Sequence, residues 1–186
     1  MKRALILAVC LVFASTMAFA QAGSIGLFSD PGGASCDVYD VPAVVYVYVI
    51  HVLTPGATGS QFRVNDADWG NAMVFLAETV TLPYLKIGQC RDGCAIAYGS
   101  CIAGPNMILT LMYSGTALTP PCSYIQVVAD PTTEDPPPGI WVTDCVIPPN
   151  LIPATGGDVV INPDETCMCN IPVQDTNWGR IKSLYR

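Results

Sequence analysis

Histidine occurs once in the 186 residues, at His51, and charged residues make up only 12% of the chain. A single imidazole excludes any multi-histidine metal centre and obliges a Ser-His-Asp or Cys-His nucleophile system to use that one residue. Basic residues are equally scarce, with eight Lys and Arg against fifteen Asp and Glu and a formal charge of −7. No basic run is present to neutralise phosphates, which argues against a nucleic-acid partner. GxSxG, HExxH, P-loop and Gly-rich dinucleotide patterns are missing. Helical periodicity is missing from all but the last few residues. Intrinsic disorder is excluded from the other side, because 51% of the chain is hydrophobic, more than a solvated coil carries.

The first twenty residues read as a leader rather than as part of the fold. Lys2 and Arg3 form a basic start, and Ala4 to Val12 is an apolar run too short to span a bilayer. Ala18-Phe19-Ala20 supplies the small-x-small pattern that signal peptidase reads, so cleavage is expected after Ala20. A lipoprotein reading of Leu7-Ala8-Val9-Cys10 fails because Val9 is bulky and Cys10 lies inside the apolar run. The remaining chain, Gln21 to Arg186, keeps six basic and fifteen acidic residues, a formal charge of −9. With the leader gone, no transmembrane segment is expected, and the destination is extracellular or periplasmic.

Removal of Cys10 leaves eight cysteines: Cys36, Cys90, Cys94, Cys101, Cys122, Cys145, Cys167 and Cys169. An even number in an exported chain points to disulfides. Zinc needs paired ligands at CxxC-like spacing, whereas these spacings are Cx3C, Cx6C and CxC with no histidine nearby. The CxC pair is expected to reach two different partners and pin the C-terminal segment to the body. Among the 105 possible connectivities, flanking positions favour Cys122 with Cys145, and Cys90 or Cys94 with Cys101.

Alternation dominates what remains. Val44 to Val52 is a β-branched and aromatic run with Val45, Val47 and Val49 on one face and Tyr46, Tyr48 and Ile50 on the other. Both faces are apolar, which predicts a central strand. Gln61–Val64, Met73–Leu82, Met107–Tyr113, Tyr124–Ala129, Gly139–Thr143 and Asp158–Ile161 follow as shorter strands. Gly115, Pro120-Pro121, Pro131, Pro136 to Pro138, Pro148-Pro149 and Gly156-Gly157 break the chain between them. About eight strands without βαβ alternation predict an all-β fold: an antiparallel β-sandwich, jelly-roll or Ig-like, stabilised by disulfides. The expected organisation is a leader at 1–20, a sandwich domain at 21–175 and an amphipathic helix or tail at 176–186.

That last segment places Trp178, Ile181 and Leu184/Tyr185 at helical spacing, with Asp175 or Thr176 available as a cap. Arg180, Lys182 and Arg186 occupy the other face, half of the mature chain's basic residues. The stripe fits a short helix docked on an acidic domain, and it equally fits an exposed tail through which Trp178, Arg180 and Lys182 dock a partner.

Gly23-Ser24-Ile25-Gly26-Leu27-Phe28-Ser29-Asp30 followed by Cys36, Gly104-Pro105 before a strand, and the close Cys167-Met168-Cys169 … Trp178-Gly179-Arg180-Ile181-Lys182-Ser183-Leu184-Tyr185-Arg186 resemble a group of small secreted bacterial proteins. The resemblance covers most of the mature chain and implies a Cys-rich, β-sandwich-like body with a CxC…WGxxKxLYR tail, without any catalytic role. The strand order also resembles the jelly-roll sandwiches of cohesins and carbohydrate-binding modules, a likeness of fold alone, which does not fix function.

Chemistry has few candidates. His51 falls on the Val45, Val47, Val49 face of an apolar strand, where a core or rim histidine is expected rather than a general base. Asp66, Asp68, Glu78, Asp144, Asp164 and Glu165 could supply a carboxylate pair, but no spacing singles one out, so no enzyme is predicted. Asn65-Asp66-Ala67-Asp68-Trp69-Gly70-Asn71 puts oxygen ligands at alternate positions, as calcium loops do. The Glu that would complete such a loop is replaced by Ala77, and Asx residues favour turns by themselves. Trp69, and Trp141 beyond it, could stack on a sugar ring or cover a core edge. The expected role is a non-catalytic structural or interaction domain of the bacterial envelope or matrix with a protein partner. The alternative is a carbohydrate-binding module, with bound calcium, acting on a surface glycan.

Overall fold

A computed structural model describes residues 23–169. The leader, the cut after Ala20 and the tail with Trp178, Arg180 and Lys182 lie outside the described residues. Thirteen strands occur in order. They are β1 (Ser24–Phe28), β2 (Asp37–Val38), β3 (Val44–Val52), β4 (Ala57–Asn65), β5 (Val74–Val80), β6 (Leu85–Gln89) and β7 (Gly93–Ile102). Then follow β8 (Asn106–Ser114), β9 (Ser123–Val128), β10 (Trp141–Thr143), β11 (Leu151–Pro153), β12 (Thr155–Gly156) and β13 (Asp158–Ile161). No helix occurs among the described residues, and none is long and apolar enough to cross a membrane.

The strands form two packed sheets. One has five strands in the order β12-β1-β3-β8-β5, and the other has eight, with β11-β10-β4-β9-β13-β2 joined by β7 beside β4 and β6 beside β7. Pairing is antiparallel except for β1 with β12 and β13 with β2, which are parallel. The expected sandwich is therefore present, with more strands than the alternation signalled. β1, β6 and β7 in particular are strands that no β-branched run announced.

β3 occupies the middle of its sheet, as two apolar faces require. Val47, Val49 and His51 point inward and are fully buried, while Tyr46 and Tyr48 face outward and stack with ring centroids 6.5 Å apart. Ile50 is also buried, because the loop after β1 folds over it and over Phe28, bringing Gly33 against both. The carboxylate of Asp30 closes this loop by accepting from the amides of Gly32, Ala34 and Ser35 at 2.7 to 2.8 Å. Between the sheets, Ile25, Leu27, Leu109, Leu111 and Tyr113 meet Phe62, Val64, Ile96, Tyr98, Ile125 and Val159 in one core.

All eight cysteines among the described residues are bridged: Cys36–Cys169, Cys90–Cys94, Cys101–Cys145 and Cys122–Cys167. The CxC cysteines do reach different partners. The favoured pairings Cys122–Cys145 and Cys90 or Cys94 with Cys101 do not occur, for a topological reason. Cys101 ends β7 and Cys145 follows β10, and both strands flank β4, so the two meet across it. Cys122 precedes β9 and is carried to Cys167 by the β9–β13 pairing.

Candidate functional site

His51 is in the core, as expected. Its Nδ1 lies 3.1 Å from the Tyr98 hydroxyl, and both residues are buried. Burial pushes the Tyr98 hydroxyl well above the usual tyrosine range. No substrate reaches an imidazole placed there.

Five of the six candidate carboxylates are engaged locally, and Glu165 is an exposed turn residue. Asp66 is buried, accepts from the Tyr113 hydroxyl at 3.1 Å and pairs with Arg91 Nε at 2.7 Å. Arg91 in turn lies 4.6 Å over the Phe75 ring. Asp68 accepts from Asn65 Nδ2 at 3.0 Å. Both acids line a cavity of about 300 Å³ together with Arg63 and Arg91, so the Asx-rich turn with calcium-like spacing already holds a guanidinium on its buried carboxylate. Glu78 is ion-paired with Lys86 and accepts from the Cys90 amide. Asp144 accepts from Asn150, and Asp164 from Thr166, and these hydrogen bonds hold both carboxyls below the usual range. Asp164 stands beside Cys122 and Cys167 with ligand atoms within 4.8 Å. Those sulfurs form a disulfide, so they are not thiolate ligands.

The strongest surface feature lies on the outer face of the eight-stranded sheet. Register places Trp141 of β10 across from Gln61 of β4, Gln61 across from Ala95 of β7, and Ala95 across from Ile87 of β6. The next outward row runs Leu151, Thr143, Gly59, Ala97 and Leu85. Side chains of paired residues share a face, so the two rows form one surface. Gly59, Ala95 and Ala97 in the middle, beside Gln61, and larger residues at both sides make it concave. Gly59, Ala95 and Ala97 floor the groove, Trp141 and Leu151 wall one side, and Ile87 walls the other with 76% of its surface exposed. The groove encloses about 290 Å³ and no charged residue lines it. At Gly59 a Cβ would lie 3.0 Å from the Ile96 carbonyl, tighter than an ordinary contact, so a side chain there would have to push that backbone aside.

The rim carries acids. Trp141 Nε1 donates to the Pro137 carbonyl at 2.9 Å, which sets the exposed loop bearing Glu134 and Asp135 beside the tryptophan wall. Asp144 follows Thr143 at the same side. On the same outer face, Asp130 accepts from Gln61 Nε2 at 3.0 Å and from Thr132 Oγ1 at 2.7 Å. Burial raises this carboxyl's pKa, but the hydrogen bonds and the nearby Arg63 outweigh it and hold it below the usual range. Gly93 is pressed so closely on this carboxylate, at φ +133°, that a Cβ would overlap it.

Of the aromatic candidates, only Trp141 belongs to this groove. Trp69 lies half exposed in the β4–β5 loop, its carbonyl accepting from the Tyr124 amide, while Tyr46 and Tyr48 are on the opposite sheet. The residues missed from the sequence were Gly59, Ile87, Ala95, Ala97 and Leu151. One local signal was present: Ala95, Ala97 and Gly99 alternate with Cys94, Ile96 and Tyr98, a strand with one small face.

No protein-family profile matches the chain, and no curated protein matches it in sequence. Solved structures do match in fold. A cohesin module from a Clostridium perfringens family 33 glycoside hydrolase superposes with TM-score 0.51 at 8% identity, over 77% of this chain and 99% of that one. The seventh ScaB type I cohesin from Pseudobacteroides cellulosolvens gives TM-score 0.47 at 11% identity, over 83% of this chain and 97% of that one. The described body of this protein has the jelly-roll sandwich fold seen in cohesin modules.

Proposed function

We propose that this protein is a secreted, non-catalytic interaction module of the bacterial envelope or extracellular matrix that holds a polypeptide segment of a partner protein in the Trp141–Ile87 groove. The observation that carries this reading is the register row itself, which puts large apolar walls on either side of a small-residue floor. Three strand spacings of about 4.8 Å separate the walls, so the row is about 14 Å wide. An α-helix with side chains is about 10–12 Å across, and fits. Acids on the rim and an acidic chain favour a basic amphipathic segment. Export with cleavage after Ala20 agrees with four disulfides, and Edman sequencing of exported protein is expected to start at Gln21.

A carbohydrate-binding role is supported less. Stacking surfaces for sugars need aligned rings, and Trp69, Trp141 and the Tyr46/Tyr48 pair point from three separate places. Peptide-display libraries panned on the mature protein test the reading. Selected peptides are expected to be rich in Trp, Leu, Lys and Arg, and to lose binding to an Ala95→Arg chain but not to a Thr79→Arg chain altered on the other sheet. Binders indifferent to Ala95→Arg, or glycan-array binding that vanishes with Trp141→Ala, would overturn it.

A further inference from the structure

We infer that the resident occupant of the groove is the chain's own C-terminal segment, residues 178–186, so that a partner must displace it; the inference rests on the groove reading above. Charge is the first argument. The described body contains only three cations, Arg63, Lys86 and Arg91. Lys86 and Arg91 are ion-paired, and Arg63 lies close enough to Asp130 to favour its ionised form. The acids on the groove rim, Glu134, Asp135 and Asp144, form no ion pair among the described residues. The segment 178–186 brings Arg180, Lys182 and Arg186 with no acid, alongside Trp178, Ile181, Leu184 and Tyr185. It is the basic amphipathic peptide that the groove selects by chemistry.

Reach is the second argument. Cys169 is tied to Cys36, whose carbonyl accepts from Val160 at the β13–β2 side of the eight-stranded sheet. Through the β13–β9 and β9–β4 registers, this anchor lies three strands across and about five residues along from Gln61, roughly 22 Å by sheet spacings. Residues 170–177 separate Cys169 from Trp178 and span up to about 27 Å when extended. The tether is long enough to reach the groove, so the segment competes there as an intramolecular ligand at an effective concentration set by the tether.

The mature chain with Trp178→p-benzoylphenylalanine tests this directly. Irradiation is expected to give a monomeric product, at a yield independent of concentration, joined to peptides containing Ile87 or Trp141. A dimeric product joined to the same residues would assign the groove to the tail of a second copy, and crosslinks to other surfaces would remove the tail from it altogether. A second measurement compares a groove-selected peptide on the wild-type chain and on a Trp178→Ala, Arg180→Glu, Lys182→Glu chain. Binding to the altered chain is expected to be at least about tenfold tighter, since a short tether competes at roughly millimolar effective concentration. Equal affinity on both chains, still abolished by Ala95→Arg, would refute tail occupancy and leave the groove standing. Failure of every selected peptide on both chains would refute the groove reading itself.

Discussion

Cys169 is bonded to Cys36, 133 positions earlier in the chain, with their Cα atoms 5.5 Å apart. The bridge closes almost the whole described chain into one loop and fixes the point from which the C-terminal segment departs. Disulfides stabilise chiefly by limiting the unfolded ensemble, by about 2–4 kcal/mol each. Only two ion pairs occur among the described residues, and such pairs contribute about 0–1 kcal/mol when exposed. Four bridges therefore rival the whole stability of an ordinary domain, about 5–15 kcal/mol. Reduction is expected to lower the melting temperature by tens of degrees, read by circular dichroism with and without reductant. Mass spectrometry of alkylated native protein should find no free thiol; four or more would contradict the pairing.

Asp40 ties the β2–β3 loop to the β8–β9 loop. Its carboxylate accepts from the amides of Thr116, Leu118 and Thr119 at 2.6, 3.1 and 3.0 Å. Burial raises its pKa, but these bonds outweigh that and hold the carboxyl far below the usual range. A depressed folded pKa means stability that is complete above the unfolded value, near 4, and is lost as pH falls below it. Asp40→Asn is expected to cost about 1–3 kcal/mol at pH 7. Urea titrations should show that difference shrinking as the pH is lowered from 5 towards 2, and a pH-independent difference would contradict the assignment.

Asp66 is committed to Arg91 and Tyr113, so calcium would have to displace a guanidinium. Millimolar calcium is expected to leave the melting temperature unchanged. Asp66→Ala should cost about 2–3 kcal/mol, because it leaves the buried Tyr113 hydroxyl without its acceptor. A calcium-dependent rise in melting temperature that Asp66→Ala abolished would restore the ion-binding reading.

His51 is fully buried against Tyr98. His51→Ala is expected to destabilise by more than about 2 kcal/mol through the cavity and the altered hydrogen bonding. It should change no hydrolytic activity in a broad substrate screen. A wild-type hydrolase activity silent in His51→Ala, with the melting temperature preserved, would show the imidazole to be catalytic.

Local pattern was enough for part of this protein. β3 runs from Val44 to Val52 and β13 from Asp158 to Ile161, the limits read from alternation, because side-chain period and β-branching act within a single strand. Composition alone likewise rules out a multi-histidine metal centre, because His51 is the sole histidine. β7 stayed hidden because Gly93–Ile102 is rich in Gly and Ala, which carry little β signal, and β6 because Leu85–Gln89 is short and interrupted by Gly88. Disulfide partners were decided by which strands flank β4 and β9, a relation between segments tens of residues apart. The groove was likewise settled only by tertiary structure. Trp141, Gln61, Ala95 and Ile87 come from four strands, and each is unremarkable alone; register sets them in one row, and register is a property of the folded sheets.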